Sequence, residues 1–284
     1  MKNIYVTEFN NNRVQVFDSE GFPLFMFGSS GSGPGQFDFP LGIAVDNMKN
    51  IYVADASNNR VQVFDSEGFP LFMFGSSGDG AGQFASNNGI AVDGMKNIYV
   101  TDSGNKRIQV FDSAGNFLFM FGWGVDDGAN EFQICTSACQ AGILGDGAGQ
   151  FLNLVSIAVD NMKNIYVVDQ INQRIQVFDS EGNFLFMFGW GVDDGANEFQ
   201  ICTSACQAGI FGDGAGQFDL PIGIAVDSMK NIYVADQTND RIQVFFTPIV
   251  NIPIPTISEW GLIAMAGILG LVGFMVIRRR KVTA

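Results

Sequence analysis

Residues 42–75 read GIAVDNMKNIYVADASNNRVQVFDSEGFPLFMFG, in which four short apolar runs (GIAV, NIYVA, RVQVF and FPLFMF) are separated by clusters of Asp, Asn, Ser and Gly. Each run is rich in the β-branched and aromatic residues that suit a pleated, packed surface. The runs are too short, and too closely bounded by turn residues, to carry a useful 3.6-residue apolar stripe. The pattern predicts four strands and no helix. Hairpins fall at residues 46–50, 55–59 and 65–68, the last an Asp-first turn whose Gly68 can take positive φ.

The pattern recurs. NIYV begins at Asn3, Asn50, Asn97, Asn164 and Asn231, giving spacings of 47, 47, 67 and 67 residues. A fixed period of this size with four strands and no helix is the signature of a β-propeller blade, so residues 1–246 form one all-β domain. Three strands are expected in the first unit, four in each of the next three and three in the last, about 18 in five units. That number leaves a sheet edge unpaired, which natural sheets avoid. Met1-Lys2-Asn3 also coincides with the Met-Lys-Asn of every later unit, so an N-terminally truncated ring is expected, with repeat sequence and a signal peptide upstream.

The longer spacings come from one block present twice, WGVDDGANEFQICTSACQAGI at residues 123–143 and 190–210. Each copy follows the fourth strand of a blade, on the disc face that also carries the second-to-third-strand turns. Its Cys135 and Cys139, and Cys202 and Cys206, suit disulfides in an exported chain, either within one insert or between the two. A four-Cys zinc site needs both inserts to meet. Asp126, Asp127, Asn130 and Glu131, repeated as Asp193, Asp194, Asn197 and Glu198, offer oxygens to calcium but lack the EF-hand spacing, and read as solvated acidic loops. GDGAGQF, at residues 78–84, 145–151 and 212–218, is followed by neither Lys-Ser/Thr nor a helix, so it reads as an inter-blade turn rather than a phosphate loop.

Charge narrows the functions. The 284-residue chain carries 29 acids against 15 bases, a net charge of −14, and no His. Such a field repels nucleic acid. The commonest general base and transition-metal ligand is missing. The 28 Phe residues fall mostly at repeated positions and read as packing between neighbouring sheets.

After Phe246 the composition changes. Residues 247–259 form a Pro-rich linker, and residues 260–277 are 18 positions without a charge, about 27 Å as a helix and enough to cross a bilayer core. Arg278, Arg279, Arg280 and Lys281 follow, placing the basic tail at 278–284 in the cytoplasm and the propeller outside.

Two resemblances rest on these residues. GIAVDxMKNIYVADxxNNRVQVFD resembles the NHL repeat, with Arg13, Arg60, Arg107, Arg174 and Arg241 at its repeated Arg position and Glu8 where later units have Asp55, Asp102, Asp169 and Asp236. This resemblance implies a propeller, commonly six-bladed, for which the chain is too short. Ile254, Pro255, Thr256, Ile257, Ser258, Glu259, Trp260 and Gly261, followed by an apolar span and RRRK, resemble the IPTL-CTERM sorting tail, with Ile257 where that pattern has Leu. It implies a bacterial protein exported across the inner membrane, held by its tail, then cut by an exosortase-type protease and passed to the surface.

The Asp and Arg of Asp55/Arg60, Asp102/Arg107, Asp169/Arg174 and Asp236/Arg241 are the candidates for a repeated ligand face, although such a pair more often ties a turn to a neighbouring strand. Near-identical units supply no single asymmetric constellation. The expected function is therefore a non-enzymatic binding, adhesion or envelope scaffold with a protein or glycan ligand and no cofactor. The alternative is an enzyme like the calcium-dependent lactonases and esterases or the lyases built on related propellers.

Overall fold

A computed structural model describes residues 3–246. Five antiparallel sheets follow one another in chain order as the blades of a propeller. The second blade shows the unit plainly, with inner strand Pro40–Val45, second Ile51–Asp55, third Arg60–Phe64 and outer Pro70–Phe74. The first blade has Ile4–Glu8, Arg13–Phe17 and Pro23–Phe27, matching the second, third and outer strands, and the fifth has Pro221–Val226, Ile232–Asp236 and Arg241–Phe245, matching the inner three.

The count of about 18 strands is corrected upward. In the third and fourth blades the insert adds a fifth strand, Phe132–Cys135 beside Phe117–Trp123 and Phe199–Cys202 beside Phe184–Trp190. The FQIC segment pairs there with Met120 and Met187 opposite Cys135 and Cys202, and these side chains are buried together. Two glycine-rich links also fold back through short parallel pairs, Ser29–Ser30 with Gln36–Phe37 and Ser76–Ser77 with Gln83–Phe84, so they are more than turns. A 3-10 turn at Phe9–Asn11 is the one helical element among the described residues.

The turns form as their residues dictate. Asp46 Oδ1 accepts the amides of Met48 and Asn50, and Asp65 Oδ1 those of Glu67 and Phe69. Gly68 adopts φ +86°, as its turn requires. Lys49 also takes positive φ, at 69°, a position where a non-glycine residue is not expected from the pattern.

Blades pack face to face. Tyr52, Ala54, Val61 and Val63 meet Ile90, Ile98, Val100 and Phe111 of the next blade, and the same pairing recurs at the other three junctions between consecutive blades. Phe27–Phe64, Phe74–Phe111 and Phe121–Phe178 have ring centroids 4.8 Å apart, and Phe188–Phe245 5.0 Å, so one phenylalanine pair clamps each junction. Inner strands converge closely. A Cβ on Gly42 would lie 2.5 Å from Asn88 O, and one on Gly89 2.9 Å from Ser156 Cα, which accounts for the glycine of the GIAV run.

Candidate functional site

The sequence candidates gather at the second-to-third-strand turns. In the third blade Arg107 Nε donates to Asp102 Oδ2 at 2.8 Å, with both side chains sealed from solvent. Asp102 also accepts from the amide of Ala85 and from the side chains of Asn105 and Gln109. The remaining guanidinium donors reach the carbonyls of Asp79, Gly80, Gln83 and Gln140. One arginine thereby staples the hairpin to the glycine-rich link that precedes it. Asp55/Arg60, Asp169/Arg174 and Asp236/Arg241 repeat the arrangement.

Burial pushes the Asp102 carboxyl up against the pull of Arg107, and it pushes the guanidinium values of Arg107 and Arg174 down. In the first blade Glu8 takes the place of Asp and accepts from Arg13, Asn11 and Gln15. Those bonds, that from Arg13 foremost, hold its carboxyl down at about 2.

A second acidic set escaped the sequence reading. Asp46, Asp93 and Asp160 cap the first hairpin of their blades and accept the Tyr52, Tyr99 and Tyr166 hydroxyls at 3.2–3.3 Å. Burial, with the neighbouring carboxylate second, pushes Tyr52 up to about 12 and Tyr99 and Tyr166 up as well. Lys96 reaches Asp46 at 3.5 Å and Lys163 reaches Asp93 at 3.8 Å, tying adjacent blades. The signal was present as DxMKNIY in each later unit, read only as a turn.

Each insert closes on itself. Cys135–Cys139 and Cys202–Cys206 are disulfides with S–S distances of 2.08 and 2.04 Å, so pairing is within one insert. Cys135 and Cys139 pack on Met120 and Val125, and Cys202 and Cys206 on Met187 and Val192. Trp123 Nε1 donates to Asn130 Oδ1. Asp127 accepts from Gln133 and from the Ala129 amide, which hold its carboxyl below the usual range. The amide of Gly142 donates to Asn105 O, so the insert shares the face of the Asp102/Arg107 turn. Among the described residues no group of three or more Cys, Asp or Glu side chains is placed to hold a metal ion.

The remaining candidate site is the axis. A cavity of about 470 Å³ is lined by all five blades, with Leu41, Ile90, Val155 and Ile222 among its apolar walls and Thr7, Asn88 and Ser156 as its polar side chains. Thr7 Oγ1 donates to Leu41 O at 2.6 Å, Asn88 Nδ2 donates to Leu154 O at 3.0 Å, and Ser156 Oγ accepts the Ile224 amide at 3.3 Å. No ionisable side chain is among its lining residues. The sequence candidates do not reach it.

The expected membrane span at residues 260–277 and the sorting motif at 254–261 lie outside the described residues. Among the described residues no helix is long and apolar enough to cross a membrane.

The comparisons with known proteins agree with this architecture. The chain carries NHL repeats at residues 37–64, 88–111 and 218–245 and an IPTL-CTERM motif at 252–281. Protein brain tumor of Drosophila melanogaster is 45% identical over 51 residues, which are 18% of this chain and 5% of that protein. Virginiamycin B lyase from Staphylococcus aureus superposes with a TM-score of 0.51 at 10% identity, over 87% of this chain and 64% of that one. A chain of a nidogen/laminin complex superposes with a TM-score of 0.53 at 15% identity, over 87% and 73%. At these identities the likeness is one of fold.

Proposed function

We propose that this NHL-repeat propeller is exported, sorted to the bacterial cell surface through its C-terminal motif, and works there as a binding or adhesion scaffold for a protein or glycan ligand. The observation that supports this reading is the axial wall. Acid–base, nucleophilic and metal-assisted chemistry all need a titratable or ligating group within reach of the substrate. The wall supplies apolar side chains and three polar ones already bonded to backbone. The Asp–Arg pairs are engaged in holding hairpins to links, and exposed surface on the same face comes from the two disulfide-closed inserts.

The tail supports the address. In this reading residues 260–277 anchor the chain in the inner membrane, Arg278 to Lys281 stay inside, and an exosortase-type protease acts near residues 254–261. A tagged protein accessible to added protease on intact cells, and retained in the inner membrane when residues 254–261 are deleted, is the expected outcome. A cytoplasmic, protease-shielded protein contradicts it.

The competing reading is a lyase-like enzyme, favoured by the fold shared with virginiamycin B lyase. Incubating the purified full chain with virginiamycin B and with a panel of lactones and esters separates the two. All compounds are expected back intact. Turnover that disappears on mutating one acidic residue overturns the scaffold reading.

A further inference from the structure

The first hairpin of each later blade turns on the disc face opposite the inserts, and its tip reads Met-Lys-Asn. Lys96, Lys163 and Lys230 take φ of 69°, 66° and 67° there. That left-handed region favours glycine or asparagine, and lysine occupies it under strain. What lysine adds is reach. Lys96 Nζ donates to Met48 Sδ of the blade before it at 2.7 Å, Lys163 Nζ to Met95 Sδ at 2.8 Å, and Lys230 Nζ to Met162 Sδ at 2.6 Å. Asp46 and Asp93 hold the first two ammonium groups in place.

The three sulfur atoms sit in the open. Met48, Met95 and Met162 are 67%, 70% and 63% exposed, and a thioether is a weak acceptor for an ammonium donor. All four cysteines are closed in disulfides, so methionine is the accessible sulfur of the propeller. Oxidation turns a thioether into a sulfoxide, whose oxygen is a strong acceptor, and in a core that change disrupts packing. At the hairpin tips the neighbour is instead an ammonium on a flexible stem, 26% exposed at Lys96 and 32% at Lys163, free to draw back and take the oxygen. Other methionines differ. Met26 and Met73 are also exposed, but they meet Arg13 and Arg60, whose guanidinium groups are already paired to Glu8 and Asp55. Met120 and Met187 are sealed against the inserts.

We propose that Met48, Met95 and Met162 are oxidant-accepting modification sites, whose sulfoxides are received by Lys96, Lys163 and Lys230 and tie neighbouring blades more tightly than the thioethers do. The oxidant is a peroxide. A sulfur lone pair attacks one peroxide oxygen, the O–O bond breaks, and with hydrogen peroxide the second oxygen leaves as water after taking the proton of the first. Sulfur gives up two electrons and the peroxide gains them. The new oxygen then accepts a charge-assisted hydrogen bond from the lysine of the next blade. The inference rests on the hairpin tips alone and holds for a scaffold and for an enzyme alike.

The test uses the full chain in nanodiscs, carrying Met26→Leu and Met73→Leu so that the arginine-bound sulfur atoms do not contribute. Dilute hydrogen peroxide is added, sulfoxides are mapped by peptide mass spectrometry, and backbone hydrogen exchange is followed at residues 98–102 and 165–169. Met48, Met95 and Met162 are expected to convert at least about tenfold faster than Met120 and Met187. Exchange of both segments is expected to slow by about threefold or more after oxidation. The slowing is expected to vanish in a Met48→Leu/Met95→Leu/Met162→Leu protein and in a Lys96→Ala/Lys163→Ala/Lys230→Ala protein. Each is compared with its own unoxidised form, so stability lost through the substitutions themselves cancels. Unchanged or faster exchange after oxidation, equal slowing in either variant, or conversion of Met120 and Met187 as fast as the other three overturns the proposal.

Discussion

The third blade and the first carry the same hairpin chemistry in different surroundings. In the third, Arg107 and Asp102 are closed off on both sides by neighbouring blades and above by an insert, and both side chains are inaccessible. In the first, Arg13 pairs with Glu8 and keeps 34% of its side-chain surface in solvent, because among the described residues neither a neighbouring blade on that side nor an insert covers it. The longer Glu8 side chain reaches Asn11, Arg13 and Gln15 from the edge. The difference teaches that the repeat fixes which groups pair, while the neighbours decide what the pair does for stability.

The largest expected effect follows from that contrast. Arg107→Ala leaves the buried Asp102 carboxylate without its cationic partner and takes the guanidinium donor from four carbonyls, and is expected to cost about 3–5 kcal/mol of stability, read from denaturant midpoints. Arg13→Ala is expected to leave the midpoint nearly unchanged. Equal losses from both would mean that the first blade is covered as the third is.

The inserts give the next effect. Replacing Cys135 and Cys139 together by Ser is expected to cost about 2 kcal/mol, since the closed loop is short. The loss is expected to be the same for Cys202 and Cys206, because the two blocks are identical. A much larger loss for one pair would show that the inserts are not equivalent.

Alkaline pH supplies the last contrast and a clean sign. Tyr52 has its hydroxyl pushed up to about 12 from an ordinary value of 10.0, and Tyr99 and Tyr166 move the same way. A group raised on folding contributes stability that is complete below its unfolded value and is lost as pH rises through its folded one. Stability is therefore expected to fall from pH 10.0 upward, for Tyr52 to about 12, with tyrosinate absorbance rising together with unfolding. Tyr52→Phe is expected to reduce that slope, whereas Tyr233→Phe, at a position 36% exposed, is expected to change it less. Tyrosinate appearing well before unfolding at Tyr52, Tyr99 or Tyr166 would contradict the sealed junctions.

Much of this was legible in the chain. Four apolar runs per period named the strands, the period named the blade, and the Asp–Arg spacing marked the turn that they hold. The fifth strands were not legible, because FQIC is four residues inside an acidic, glycine-containing block and its partner Met120 lies in a strand already assigned. The Tyr52–Asp46 contact was hidden because a hairpin Asp reads as a turn former whether or not a tyrosine leans on it. The axial cavity was hidden most completely, since no side chain there has a chemistry that stands out in a sequence. It exists only because five blades share a centre.

Hydrogen exchange on the full chain tests the contrast between the enclosed blades and the first blade most directly. Amides of residues 51–55, 98–102 and 165–169, paired on both sides within their sheets, are expected to exchange only with global opening. The edge amides of residues 4–8 are expected to exchange about a hundredfold faster or more. Protection of residues 4–8 equal to that of residues 51–55 would contradict the account, because it would mean that Ile4–Glu8 is paired on both sides rather than on one.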